Sequence, residues 1–264
     1  MPTENPPSGR LLVEESDGVL TARIANEGRA NALDTAILTE LVSLLHGPRM
    51  ESVRVVLLGG DGDRHFSSGL DLGDRSAEEL AAELQDGERR LGNVAQAIAS
   101  CRAPVIGVVN GAAFGGALEL AIACDWRIAA RGARLGMPAA RIGVVYAADG
   151  LRRFAEVMGP ARTRRLFLTT TPVDADEAYA LGLVDQVVEP ADLWPTAHAA
   201  AAAVASAAPL AVSGTRAIVA ALSEGPASIQ ETAQAARARA FGSNDFREGL
   251  AAFREKRFPD FQGT

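Results

Sequence analysis

The chain is 264 residues long with 48% hydrophobic and 22% charged residues, a balance that excludes a small stapled module, a disordered chain and a fibrous repeat. Its formal net charge of −7 gives no broad attraction to nucleic acid or an anionic membrane, so any anion must be held by a local site. Cys101 and Cys124 lie in apolar surroundings without CxxC spacing, and His46, His65 and His198 form no zinc pattern. Reduced thiols, no metal and a cytoplasmic location are therefore expected of a globular enzyme or binding protein.

The opening segment, MPTENPPSGR, is polar and proline-rich, and is expected to be a disordered tail over residues 1–10 rather than a secretory signal. "LLVEE" and "GVLTARIAN" then read as strands joined at Asp17-Gly18, a hairpin signal. A helix follows, with Asp34 as N-cap and Ile37, Leu38, Leu41, Leu44 and Leu45 on one face. "VRVVLLGG" is a continuous β-branched and leucine run, the pattern of a strand buried on both faces.

After the glycine-rich "DGDRHFSSGLDL", residues 76–100 predict a long amphipathic helix opened by Ser76, with Glu79 in the capping-box position. "PVIGVVN", "WRIAA" and "LVDQVVE" predict further strands, the last after a helix at about 174–181, and alanine-rich helical patterns fill the chain from Pro190 onward. The apolar run from Ala103 to Cys124 does not read as a membrane span: Pro104, Asn110-Gly111 and Gly115-Gly116 break it into strand, turn and helix, and Glu119 is costly in lipid. Strands alternating with helices, then helices alone, predict an α/β core over residues 11–200 and a helical region over 201–264.

In NGAAFGGALELAIACD, residues 110–125, the carboxylate of Glu119 sits among small and apolar side chains. Gly115-Gly116 follows a strand and turn and opens the helix that carries it. The first N–H groups of a helix lack internal partners and carry partial positive charge, so the Gly116 N–H is open to a polarised oxygen. Helical side chains lean toward the N-terminus, which aims Glu119 back at the space in front of Gly116. A helix-dipole contribution of about 0.3–1 kcal/mol does not offset the several kcal/mol of burying an uncompensated carboxylate, so a chemical role is the stronger reading. GxSxG, Walker A and GxGxxG patterns do not occur, which leaves a nucleophilic Ser67 or Ser68, nucleotide hydrolysis and dinucleotide binding without support.

Together, "HFSSGLDL" and "NGAAFGGALELAIACDWRIAA" resemble the crotonase (enoyl-CoA hydratase/isomerase) family. The likeness continues through "RANALD", "TPVDADEAYALGLVDQVV" and "DFREGLAAFREKRFPDF", nearly the whole chain. The resemblance implies an α/β fold, a crotonase-like spiral of ββα units with a C-terminal helical trimerisation region. It also implies an acyl-CoA substrate of fatty acid metabolism, no cofactor beyond the coenzyme A of that substrate, and a homotrimer or dimer of trimers without nucleic-acid or membrane partners. Backbone N–H groups of Ser68 and Gly116 would form the oxyanion hole that grips the thioester oxygen, and Glu119 would be the acid/base. Arg29, Ala30, Gly69, Leu70 and Asp71 match positions that hold the coenzyme's nucleotide end. Phe253 and Lys256 match a C-terminal aromatic and a lysine that approach the coenzyme, in relatives often from a neighbouring subunit.

The chain also departs from the family. The segment that carries a second glutamate in hydratases, P-E-x-x-x-G, reads Pro138-Ala139-Ala140-Arg141-Ile142-Gly143, so Ala139 replaces that glutamate. Water addition divides acid and base roles between two carboxylates, and a methyl group performs neither. Tyr146 matches by spacing a tyrosine that helps bind the substrate carboxylate in methylmalonyl-CoA decarboxylases of the family, although Leu70 stands where those enzymes carry a histidine. Asp149 either supplies the missing acid or is a turn aspartate before Gly150. The leading expectation is a hydratase-like lyase on a 2-enoyl-CoA with Glu119 as principal acid/base. The alternatives are a decarboxylase or hydrolase of a CoA thioester using Tyr146 or Asp149, and a catalytically weak acyl-CoA-binding homologue.

Overall fold

The computed structural model describes residues 9–26, 28–73, 76–222 and 225–264. Residues 1–8 of the expected tail lie outside these; the Gly9 N–H donates to Asp34 Oδ2 at 2.7 Å, and Arg10 already belongs to the first strand. That strand, β1 (Arg10–Ser16), forms a hairpin with β2 (Val19–Ala25), and Asp17 and Gly18 turn it with φ of 53° and 74° as a primed two-residue turn requires. Helix α1 (Thr35–His46) starts at Asp34, whose side chain accepts the Ile37 N–H at 2.9 Å, and buries Ile37, Leu38, Leu41 and Leu45.

A ββα pattern then repeats: β3 (Val55–Gly60), β4 (His65–Ser67) and α2 (Ala77–Ser100), then β5 (Val105–Val109), β6 (Ala112–Phe114) and α3 (Gly116–Ala123). A third turn holds β7 (Trp126–Ala130) and β8 (Arg134–Gly136), followed by α4 (Ala148–Met158) and α5 (Pro160–Thr169). Next come β9 (Val173–Asp174), α6 (Ala175–Leu181) and β10 (Gln186–Val188), and four helices end the chain: α7 (Leu193–Ala205), α8 (Pro209–Ala221), α9 (Pro226–Gly242) and α10 (Asn244–Glu255). Helix α7 runs unbroken across residue 200.

Each turn of the spiral adds one strand to each of two sheets. One has the order β1-β2-β3-β5-β7-β10 and is parallel beyond its hairpin; the other, β4-β6-β8-β9, is parallel except for β8 with β9. β3 is buried along its whole length, as the unbroken apolar run demands. Its Val55 and Leu57 pack with Leu193, Ala197 and Ala201 of α7, whereas Val56 and Leu58 join the core beneath α1 and α2. The Asn110 side chain fixes the turn from β3 into β4, accepting the Gly60 N–H at 2.9 Å and donating to Gly62 O at 2.8 Å.

The Ser76 and Glu79 capping box opens α2 as expected. The far end of α2 is capped from a distance. Arg216 of α8 places Nε 2.5 Å from Asp125 Oδ1 and donates through its other nitrogens to the carbonyls of Cys101 and Ile98. The Arg216 and Asp125 side chains are only 15% and 21% exposed, so this clamp is little screened by water. Arg216→Ala should lower the unfolding free energy by about 2 kcal/mol with the denaturant slope unchanged, as read by urea titration; a loss below about 0.5 kcal/mol would mean the clamp adds nothing.

Candidate active site

Glu119 is 4% exposed in the first turn of α3, and both its oxygens are taken. Tyr146, in the segment before α4, donates its O–H to Oε2 at 2.5 Å, and Arg153 of α4 donates Nη2–H to Oε1 at 2.5 Å. The Arg153 side chain is itself only 18% exposed. The two chain turns after β8 therefore bring a cation and a neutral donor onto the buried carboxylate. Burial raises the Tyr146 phenol well above its usual 10.0, and the charge and hydrogen bond of Glu119 and then the charge of Glu88 add to the rise, against a lowering by Arg153. The phenol therefore stays protonated and remains a donor. Tyr146 is also held edge-on by Phe167 of α5, with ring centroids 5.3 Å apart. Gly150 leaves room for this arrangement: a Cβ there would sit 2.5 Å from Tyr146 Cε1 and 3.1 Å from Glu119 Oε2.

In front of α3, two loops meet. The loop after β4 forms a parallel bridge to Leu33, in which Gly69 O accepts the Leu33 N–H at 2.8 Å and the Asp71 N–H donates to Leu33 O at 3.1 Å. N–H directions alternate along an extended chain, so the N–H of Leu70 faces away from Leu33. The N–H groups of Leu70 and Gly116 have no acceptor among the described residues. The loops carrying them are in contact: a Cβ on Gly116 would lie 3.6 Å from Leu70 N, and one on Gly69 would lie 3.4 Å from Gly116 N and 2.6 Å from Phe114 O. Gly69 has φ +101°, so both the conformation and the space call for glycine.

This corrects the expectation for Ser68. Its N–H donates to Ala30 O at 3.0 Å and is committed to holding the loop, so the open donor beside Gly116 belongs to Leu70.

The enoyl-CoA hydratase/isomerase family model matches residues 14–264. The crotonyl-CoA hydratase of Syntrophomonas wolfei is 33% identical over 257 residues, covering 95% of this chain and 97% of the relative. The short-chain-enoyl-CoA hydratase of Clostridium acetobutylicum is 33% identical over 253 residues, covering 94% and 95%. The chain belongs to the enoyl-CoA hydratase/isomerase family. The crystal structure of the enoyl-CoA hydratase from Bacillus anthracis superposes with a TM-score of 0.88 at 29% identity, covering 96% of this chain and 99% of that one, so the crotonase-type fold is shared.

Other positions read from the family pattern fall in distinct places. Arg29 forms an ion pair with Asp71, tying the loop after β2 to the loop after β4, and Ala30 accepts the Ser68 N–H from within a left-handed turn (φ 51°). The Leu70 side chain packs toward Gly87 and Gly116. Phe253 is 84% exposed on α10, and Lys256, exposed, caps that helix with φ 54°. Asp149 does not join Glu119: it lies in the first turn of α4, not in a turn before it, with its side chain 81% exposed and 3.9 Å from Arg152. One helical position separates it from Gly150, which faces the site, and that step rotates the side chain by about 100°. Arg153 is not among the positions that the family pattern picks out; the spacing of Gly150, Phe154 and Met158 on one helical face is the signal that places it on α4.

Replacing Arg153 by Met should leave Glu119 as an uncompensated buried charge and destabilise the fold by about 3 kcal/mol. Adding Glu119→Gln should recover most of that loss in urea unfolding. Losses that simply add would show that the two side chains are not coupled.

Proposed function

We propose that the chain is an acyl-CoA lyase of this family that adds water to a 2-enoyl-CoA, or removes it from the 3-hydroxy product. The observation that carries this reading is the pair of open N–H groups, Leu70 and Gly116, beside a buried carboxylate. Attack at C3 pushes the π electrons toward the thioester oxygen, and two backbone donors stabilise the charge that gathers there. Glu119 takes the water proton and returns it in the reverse direction. Tyr146 orients its carboxylate as a neutral donor, and Arg153 offsets its burial.

Arg29, Ala30, Gly69, Leu70 and Asp71 line the way for the coenzyme. The exposed Phe246, Leu250, Phe253 and Phe258 of the C-terminal region support assembly as a trimer or dimer of trimers in which Phe253 and Lys256 serve a neighbouring site. Decarboxylation of a malonyl-type thioester is the second reading. It is favoured by the cation of Arg153 beside Tyr146 and by Ala139, since loss of carbon dioxide generates the enolate without a water-activating pair. Two points weigh against it: the Tyr146 O–H is already given to Glu119, and Asp149 is turned to solvent.

Glu119→Gln should cut crotonyl-CoA hydration by about 10² to 10⁴, and Leu70→Pro, which removes one donor, by about 10² to 10³. Both are read from the loss of enoyl-thioester absorbance. Unchanged turnover in Glu119→Gln, or wild-type turnover of malonyl-CoA alone, would overturn the hydratase reading. Ala139→Glu should raise the hydration rate by restoring a second carboxylate, and a folded variant with an unchanged rate would contradict that role for the position.

A further inference from the structure

Hydration requires a proton at C2 as well as a base for the water, and Ala139 cannot supply it. A turn of α2 lies against the same loops. A Cβ on Gly87 would meet Leu70 Cδ1 at 2.9 Å, and a Cβ on Gly116 would meet Leu91 Cδ2 at 3.2 Å. This turn of α2 is therefore seated on the two loops that carry the open N–H groups. Glu88 precedes Leu91 by three residues and so shares its face of α2; it is half-buried, with no hydrogen-bond or ion-pair partner among the described residues. By contrast, Asp86 on the same helix is held by Arg89 and Arg90. Burial raises the Glu88 carboxyl above its usual 4.5 and the charge of Glu119 adds to the rise, while Glu88 in turn contributes to the rise at Tyr146. Glu88, Glu119 and Tyr146 thus share one electrostatic environment, and of the two carboxylates only Glu119 has an ion-pair partner among the described residues.

We propose that Glu88 is the second proton-handling carboxyl of the site, supplying from α2 what Ala139 does not. In hydration the water oxygen bonds to C3 as Glu119 takes its proton, the C2=C3 π pair moves into the thioester enolate, and the Glu88 carboxyl gives its proton to C2. The enzyme then holds a protonated Glu119 and an ionised Glu88, and one proton passing between them through solvent restores the starting state. In dehydration the Glu88 carboxylate removes the C2 proton and protonated Glu119 delivers one to the departing hydroxide. The titratable groups facing Glu88 from other elements are Glu119 on α3 and Tyr146 before α4, and Asp86, Arg89 and Arg90 are its neighbours on its own helix. On α1, which also packs on α2, Glu40 is bonded to the Leu11 N–H and His46 lies against Ser100 at the far end.

The proposal rests on the lyase reading, so two assays on the whole protein are paired. Crotonyl-CoA hydration reports that reading. Exchange of the C2 hydrogens of butyryl-CoA with deuterated water, followed by NMR, reports the C2 base alone. Glu88→Gln should slow exchange and hydration about 10²-fold, with KM changed less than about threefold. The alkaline limb of the wild-type hydration profile, where Glu88 loses its proton, should be absent in the variant. Should Glu88→Gln fail to fold, Glu88→Asp, which withdraws the carboxyl by one methylene, should slow exchange at least about tenfold. Wild-type hydration with exchange in the variant within about twofold of wild type overturns the proposal and leaves the lyase reading standing. Exchange that depends on Glu88 without any wild-type hydration overturns the reading and leaves the proposal standing, and absence of both in the wild type overturns both.

Discussion

A carboxylate that is 4% exposed must be compensated, and the surroundings of Glu119 follow from that constraint. Arg153 brings the charge and Tyr146 the neutral donor, so α4 and the segment leading into it must lie against α3. Gly150 lets them come that close, since any side chain there meets Tyr146 and Glu119. Phe167 on α5 holds the tyrosine ring from the other side. The segment that follows Ala139, where the family's second glutamate is missing, is thus the part that secures the buried acid.

The spiral explains why two open N–H groups face the same space. β4 and β6 are parallel neighbours, so the loops leaving them emerge at the same sheet edge. After β4 the chain bridges to Leu33 and turns the Leu70 N–H outward; after β6 it enters α3, whose first N–H is free by the nature of a helix terminus. Neither donor depends on a side chain. Their separation is set by glycines that permit contact between the loops, and the residues around them are free to vary the chemistry.

The long elements were legible because their patterns are long. The Asp17-Gly18 hairpin, the Asp34 cap, the Ser76 and Glu79 capping box and the doubly buried β3 each rest on several residues that agree. The smaller sheet was not legible, since its strands are two or three residues long and offer no period to read. Gly116 and Glu119 were legible from helix physics alone. Leu70 was not, because the choice between its N–H and that of Ser68 is decided by pairing with Leu33 and Ala30, contacts distant in sequence. The placement of Asp149 failed for a local reason: a single helical step decides whether it or Gly150 faces the site. Arg153 reaches Glu119 from a separate helix, and their meeting is a property of packing.

The central claim is that the thioester oxygen is held by Leu70 and Gly116 in front of Glu119. A crystal structure of the protein with a bound, slowly reacting CoA thioester tests it most directly. The account predicts the thioester oxygen within about 3 Å of both the Leu70 and the Gly116 nitrogens, with C2 and C3 lying between Glu119 and α2. A thioester oxygen bound by the Ser68 N–H, or one that touches neither loop, would contradict it.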